Sequence, residues 1–264
     1  MRKKYKLKVL QIETTNICNG KCKFCIHNDL KEFGTMSDRL FLKILLEASG
    51  IKSLKIIVPM LLGEPFCDKQ IIKRMNLINR ILPKVQIHLF TNGSLLTKDK
   101  ITELQEIENL TMHFSLNGIN KETRFKLMGL NDYEHVIEMI KLYQATGKPF
   151  EVTCVAYPSV SDGEIKTFKS FGFPTKLIKY GNWTGDKFNS NKATKCSRAI
   201  NEMTVMFDGR VNLCCMEYGK VIFGDLNKES VRDIWESPHR QMYCEAHLFG
   251  KYLLGPCANC NYSK

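Results

Sequence analysis

Cys18, Cys22 and Cys25 stand in the run Cys18-Asn19-Gly20-Lys21-Cys22-Lys23-Phe24-Cys25, directly after a strand-like segment, Val9 to Thr14. Three thiolates at this CxxxCxxC spacing hold three corners of a metal centre. Iron–sulfur clusters ordinarily take four cysteines, so a local triplet leaves one iron open to another ligand. The alternative chemistry is a zinc knuckle completed by a distant fourth ligand, although structural zinc favours CxxC pairs. A second set of cysteines, Cys196, Cys214 and Cys257-Ala258-Asn259-Cys260, lies near the other end of the chain.

The elements that position these residues alternate along the first two thirds of the chain. Strand patterns fall at Val9–Thr14, Leu54–Met60, Val85–Thr91, Leu110–Leu116, Phe150–Ala156 and Lys176–Tyr180. Helical patterns fall between them, at Asp38–Ala48, Lys69–Ile81, Lys98–Ile107, Tyr133–Thr146 and Asp162–Ser170. Each gap is long enough for a right-handed crossover. The expected fold is α/β: a partial (β/α)6 TIM-like barrel with parallel strands buried on both faces and chemistry at their C-terminal ends. After Tyr180 the pattern changes. Residues 181–195 are polar and aperiodic and read as a crossing loop. Met203–Phe207 and Arg210–Cys214 flank an Asp208-Gly209 turn and read as a β-hairpin, followed by short helices at Ser230–Glu236 and Arg240–Phe249. The expected division is residues 1–181 for the barrel and 182–264 for a small hairpin-plus-helix domain.

Composition narrows the function classes. The 264 residues, 44% hydrophobic and 25% charged, suit a globular protein with a sizeable core. No run approaches the length needed to span a bilayer. The basic N-terminus is followed by too short an apolar run for a signal peptide, so the expected location is cytoplasmic, without a membrane. Eleven cysteines, an odd number, point to metal ligation rather than a disulfide framework. The net charge of +12 is dispersed beyond the N-terminal cluster. With no helix-turn-helix or RNA-recognition pattern, it reads as solvated lysines rather than a nucleic-acid face.

The cysteine loop after the first strand resembles the radical S-adenosylmethionine (SAM) enzymes, and the resemblance covers most of the chain. It implies that Cys18, Cys22 and Cys25 bind a [4Fe–4S] cluster whose open iron takes SAM through its amino and carboxylate groups, with Phe24 near the adenine. The family's Gly-Gly-Glu-Pro turn appears here as Leu62-Gly63-Glu64-Pro65 after the second strand. Gly63 is expected to let the backbone approach the ligand, and Glu64 to meet the methionine ammonium. Thr91-Asn92-Gly93 closes the third strand and Ser115-Leu116-Asn117-Gly118 the fourth, which makes Asn92, Ser115 and Asn117 cofactor-binding candidates. Met128 stands where relatives often carry Arg; Arg124 is either a substitute or a surface ion pair.

The second cysteine set, with Gly209, Gly224-Asp225-Leu226 and Val231 to Trp235, resembles the SPASM domain and its shortened form, twitch. That resemblance implies one auxiliary [4Fe–4S] cluster on Cys196, Cys214, Cys257 and Cys260; a four-cysteine zinc site is the alternative. Four ligands leave no iron open to substrate, so an electron-transfer or structural role follows. Cys215 is a candidate hydrogen donor in an epimerase-type reaction. Cys154 reads as a small buried hydrophobe, Cys67 sits near the mouth of the site, and Cys244 has no assigned role. Asn182, Trp183 and Asp186 are candidates to line the site.

The implied activity is that of a radical SAM oxidoreductase. SAM is cleaved reductively, a substrate hydrogen atom is removed, and a small molecule or peptide is oxidised or otherwise modified. A flavodoxin- or ferredoxin-type protein would supply the electron. With the cysteine loop beginning at residue 18, no room precedes it for a peptide-recognition domain. That favours a small molecule, or a peptide presented by a partner. The competing readings are a peptide epimerase or maturase, a zinc-stabilised nucleic-acid-binding protein, and a radical SAM enzyme acting on RNA.

Overall fold

The computed structural model describes residues 5–183, 196–249 and 255–261. The chain forms two compact units. One comprises residues 1–14, 34–61 and 181–264; the other comprises 15–33 and 62–180. All six expected βα strands are present, and parallel sheet forms the core of a mixed α/β fold.

In the first unit, β1 (Val9–Ile12) pairs in parallel with β2 (Ile56–Val58) on one edge, placing Leu10 beside Ile57. On its other edge β1 pairs, also in parallel, with β7 (Glu202–Val205), so Leu10 also lies beside Met203. β7 turns into β8 (Arg210–Asn212), antiparallel, and β8 into β9 (Ile222–Asp225), giving the order β2-β1-β7-β8-β9. The hairpin read from Asp208-Gly209 is therefore present, with Gly209 at φ +96° in a conformation that favours glycine. It is not a separate ribbon: it extends the sheet of β1, and β9, which the periodicity did not indicate, completes it. α1 (Asp38–Ser49) starts where the Ser37 hydroxyl accepts from the Leu40 amide at 3.2 Å. It buries Leu40, Phe41, Ile44, Leu45 and Ala48.

The second unit holds β3 (Gln86–Thr91), β4 (Leu110–Ser115), β5 (Phe150–Ala156) and β6 (Thr175–Lys179), parallel and in that order. Side chains alternate between its two faces. One face is apolar: Phe114 and Phe150 meet the Tyr143 ring of α5 (Tyr133–Ala145) edge-on, at 5.7 and 6.2 Å. The other face is more polar: His88, Phe90, His113 and Glu151 share adjacent rows there.

A helix missed by periodicity, α4 (Lys121–Met128), lies between β4 and α5. Its ends are unambiguous. Asn120 and Thr123 form a reciprocal capping box, and Gly129 at φ +69° stops the helix in the left-handed region. Its interior pattern is inverted, because Arg124 is 0% exposed whereas Phe125 is 58% exposed. A surface ion pair at Arg124 is thereby excluded.

Near the C-terminus, α7 (Ser197–Asn201), α8 (Val231–Trp235) and α9 (Pro238–Phe249) are held by another buried cation. The Arg240 guanidinium lies 3.1 Å from the centre of the Trp235 ring and donates to the carbonyls of Trp235, Ala199 and Ile200 at 3.1–3.2 Å. Burial lowers its pKa to about 10, so it stays charged at neutral pH. Among the described residues no helix is long and apolar enough to cross a membrane. Arg240→Ala removes all three of these bonds and the contact with the Trp235 ring. It should cost at least about 3 kcal/mol, read as a lower urea midpoint at unchanged slope.

Candidate functional site

The cysteine loop leaves β1 and is held by both backbone and side chains. Its Lys21 and Lys23 amides donate to the Met128 and Leu127 carbonyls at the end of α4, at 2.8 and 2.9 Å. Leu127, Met128 and Leu130 form a small core against which Cys22, Phe24, Tyr157 and Val160 pack. The Phe24 ring lies 6.1 Å from that of Tyr157. Cys18 Sγ accepts from the Gly20 amide and Cys25 Sγ from the His27 amide, each at 3.4 Å. Burial pushes the Cys18 thiol up to about 12, with Glu64, Cys25 and Cys67 adding like charge. Cys22 is pushed up further, by burial and then by Cys25 and Cys18. Three sulfurs close enough to raise one another's cost of ionisation, two of them served by amide donors, suit a cationic iron centre. The bare protein offers them too little positive charge to ionise together.

The Gly63-Glu64-Pro65 turn packs against the start of this loop. A Cβ on Gly63 would overlap the Thr15 carbonyl oxygen and lie 2.9 Å from Asn16 Cα and from the Ile17 carbonyl oxygen. The glycine is therefore required by the approach of the chain to itself. The buried Glu64 carboxylate caps the turn by accepting from the Phe66 amide at 3.2 Å. It also accepts from the Thr91 hydroxyl at 2.6 Å and the Asn92 amide at 2.7 Å. Burial outweighs these donors and raises its pKa to about 7.

Asn92 and Asn117 are engaged with the chain in the same way. Asn92 Nδ2 donates to Asn19 Oδ1 at 2.7 Å, linking the end of β3 to the cysteine loop. Asn117, at φ +48°, accepts from the Val155 amide at 2.8 Å and closes β4 against β5. Ser115 is half-buried at the end of β4. Arg124 joins these ends: it donates to the Asn92 and Leu116 carbonyls at 2.8 Å and to Asp132 at 2.6 Å. Cys67 is half-buried, its pKa raised by burial and by Glu64.

The second cysteine set belongs to the other unit. Cys196 caps α7, Cys214 follows β8, and Cys257 lies in a tight turn, Gly255–Asn259. These three and Cys260 line one small cavity with Ala199, Leu213 and His247. Burial pushes Cys257 up to about 12, and Cys214 further. Asn182 reads the backbone of the CxxC turn: its Nδ2 donates to the Asn259 carbonyl at 2.6 Å, and it exchanges amide bonds with Asn261. Asn182 thus staples the cysteine turn rather than opening toward a pocket. Trp183 adopts φ +48°, and Asp186 lies outside the described residues. Cys215 does not line the cavity; burial raises its thiol to about 11, beside Arg198, Glu202 and Cys196. Cys244 donates to the Ala199 carbonyl at 3.2 Å, and Cys154 is buried in β5. Among the described residues no three or more His, Cys, Asp or Glu side chains converge closely enough to hold a single metal ion.

The family model for the radical SAM superfamily matches residues 12–171. The chain belongs to the radical SAM superfamily. A second model, the SPASM iron–sulfur cluster-binding domain, matches residues 196–261. A radical SAM enzyme with this second domain works with SAM, a [4Fe–4S] cluster at the SAM site and an auxiliary cluster.

The chain is 32% identical over 277 residues to a tungsten-containing aldehyde ferredoxin oxidoreductase cofactor-modifying protein of Pyrococcus furiosus, covering 94% of this chain and 74% of that one. It is 24% identical over 264 residues to an S-adenosyl-L-methionine-dependent 2-deoxy-scyllo-inosamine dehydrogenase of Niallia circulans, covering 96% and 92%. Against a GTP 3′,8-cyclase of Aliarcobacter butzleri it is 25% identical over 186 residues, covering 66% of this chain and only 56% of the cyclase. The radical SAM fold is shared with solved structures. BtrN in complex with AdoMet and 2-DOIA has a TM-score of 0.67 at 16% identity, covering 97% of this chain and 93% of that one. SuiB of Streptococcus suis bound to precursor peptide SuiA has a TM-score of 0.76 at 16% identity, covering 97% and 70%.

A polar line on adjacent rows of β3 to β5 is a feature that the strand patterns alone did not single out. His113 lies 3.0 Å from His88 and 3.2 Å from Glu151, under the Phe90 ring, and burial lowers the pKa of both histidines. Its signal in the sequence is a polar residue at alternate positions of these strands.

Two outcomes follow from this geometry. Gly63→Ala should destabilise the protein by about 2–3 kcal/mol, since the atoms it meets are backbone; a thermal melt reads this directly. The raised pKa of Glu64 means that the folded state holds a proton longer than the unfolded chain, whose value is 4.5. Stability should therefore fall as the pH rises from about 4.5 to about 7, by roughly 3 kcal/mol. Glu64→Gln should flatten that part of the denaturation profile.

Proposed function

We propose that this chain is an oxidoreductase that removes a hydrogen atom from an unactivated C–H bond of a small molecule or a peptide. Residues 1–181 would form the SAM-cleaving domain and 182–264 the auxiliary-cluster domain. Cys18, Cys22 and Cys25 would hold the first cluster, and Cys196, Cys214, Cys257 and Cys260 the second. When bound, SAM with the first cluster supplies a 5′-deoxyadenosyl radical, and the auxiliary cluster supplies a one-electron acceptor.

The protein's part is placement. Phe24 offers an apolar wall beside the cysteine loop. Glu64, through Thr91 and the Asn92 amide, fixes the turn after β2 to the end of β3, and Asn92 ties that end back to Asn19. The turn after β2, with Gly63, and the ends of β3 and β4, with Asn92, Ser115 and Asn117, form the proposed SAM-facing rim. A misplacement of ~1 Å at a reacting C–H bond costs about a hundredfold in rate, which is why so many of these polar groups are spent on holding backbone.

The observation that carries the oxidative reading is the cavity shared by four cysteines. Four thiolates complete a cluster's ligand set, so substrate has no iron to bind there and electron transfer is the remaining redox role. The full-length similarity to a SAM-dependent dehydrogenase supports a small molecule, and the fold of SuiB, bound to its precursor peptide, supports a peptide. Conversion of an alcohol to a ketone fits the balance: the substrate gives up one hydrogen atom, then one electron and one proton. A flavodoxin- or ferredoxin-type donor would reduce the first cluster. The eleven cysteines, read as metal ligands and thiols, suit a reducing compartment such as the cytoplasm.

One observation favours a second reading, epimerisation. Cys215 lies outside the four-cysteine cavity, and its raised pKa keeps the S–H intact as a hydrogen donor.

Anaerobic reconstitution should give about eight irons per chain, and about four in Cys18/Cys22/Cys25→Ala, with 5′-deoxyadenosine formed only by the wild type. Zinc in place of iron, with SAM left intact, would overturn the proposal. Under oxidation, Cys215→Ala should leave turnover and product unchanged. Under epimerisation it should abolish the product while SAM cleavage continues.

A further inference from the structure

His247 is 2% exposed, and neither Nδ1 nor Nε2 meets a hydrogen-bond partner among the described residues. Burying an imidazole with both nitrogens unsatisfied costs about 1–3 kcal/mol for each group, which packing alone does not explain, since a leucine would fill the same space. The ring lines the cavity formed by Cys196, Cys214, Cys257 and Cys260.

The helix delivers it there. The buried positions of α9, Arg240, Tyr243, Cys244 and His247, follow the i, i+3, i+4, i+7 spacing of one helical face. Arg240 and Cys244 tie that face to the Ala199 carbonyl of α7. Because α7 begins at Cys196, the next turn of α9 reaches the cysteines themselves. The two ends of this contact are thus fixed by bonds that do not involve His247, and the ring is left aimed at the cavity.

We propose that His247 donates an N–H hydrogen bond to a sulfur of the auxiliary cluster and raises that cluster's reduction potential. The proposal rests on Cys196, Cys214, Cys257 and Cys260 being its ligands. An imidazole carries at least one N–H in either neutral tautomer and two when protonated. Four thiolates already satisfy the four irons, so the partner left for the ring is sulfur. A hydrogen bond to sulfur stabilises the additional negative charge of the reduced form, and such bonds are a main protein lever on cluster potential. His247 is thereby a positioning and tuning residue, and its effect falls on how readily the cluster accepts an electron.

The test uses the full chain with Cys18/Cys22/Cys25→Ala, in which only the auxiliary cluster can form, and a redox titration followed by electron paramagnetic resonance. About four irons should be present; their absence would defeat the ligand assignment itself, separately from the role of His247. With the cluster present, His247→Leu should retain the iron and lower the midpoint potential by about 59 mV, a tenfold change in the reduction equilibrium. His247→Gln, which keeps an N–H donor, should recover part of the shift. An unchanged potential in His247→Leu overturns the proposal. On the unsubstituted histidine, 15N labelling should show a weak nitrogen coupling to the reduced cluster. No coupling overturns the proposal, and a strong coupling, or loss of iron on substitution, overturns it in favour of direct ligation.

Discussion

A fully buried guanidinium holds the first cysteine loop where it is. Arg124 bonds to the carbonyl at the end of β3, to the carbonyl after β4 and to Asp132, so two strand ends and the helix α4 share one cation. α4 in turn supplies the Leu127 and Met128 carbonyls that receive the loop's amides. Hydrogen bonds to a buried charge are stronger than neutral ones, and leaving that charge unpaired is costly. Few other arrangements of these elements would satisfy it. The same cation lowers the cost of negative charge on Cys22 and Glu64.

The two cysteine sets meet one electrostatic problem from different surroundings. Each gathers sulfurs in a desolvated place, where mutual charge and burial oppose ionisation. The first set is served by loop amides, lies near Arg124 and keeps a carboxylate at hand. The second is enclosed by Leu213, Ala199 and His247, and its CxxC turn is pinned by Asn182. The two surroundings therefore differ in kind: a loop held among strand ends and polar groups in one case, a small cavity lined largely by sulfur and apolar side chains in the other.

The chain announced its chemistry more clearly than its packing. Cysteine spacing and strand alternation are local signals, and β5 was legible to the residue. α4 was hidden because its helical face is built on Arg124 rather than on an apolar residue, so its period vanishes from a hydrophobic reading although Asn120, Thr123 and Gly129 mark its ends. The pairing of β7 with β1 was equally hidden, since nothing in either segment encodes a partner so distant in sequence. Asn92 and Asn117, expected to face a ligand, bond to the chain, and Gly63 is required where the chain approaches itself. Motif residues at strand ends serve geometry as much as recognition, and composition cannot separate the two. His247 had no sequence mark apart from its helical register.

The parallel pairing of β1 with β7 has a bearing on how the protein is made. One edge of β1 finds its partner close by, but the other waits for residues roughly 190 positions later. At ribosomal rates that interval is about 10–40 s, during which an apolar strand containing Leu10 and Ile12 presents unpaired amides and carbonyls. The loop carrying Cys18, Cys22 and Cys25 leaves directly from that strand. The nascent chain therefore carries that loop on a strand with one edge still unpaired, and the fixing of the loop's point of departure waits on synthesis of the far end of the chain.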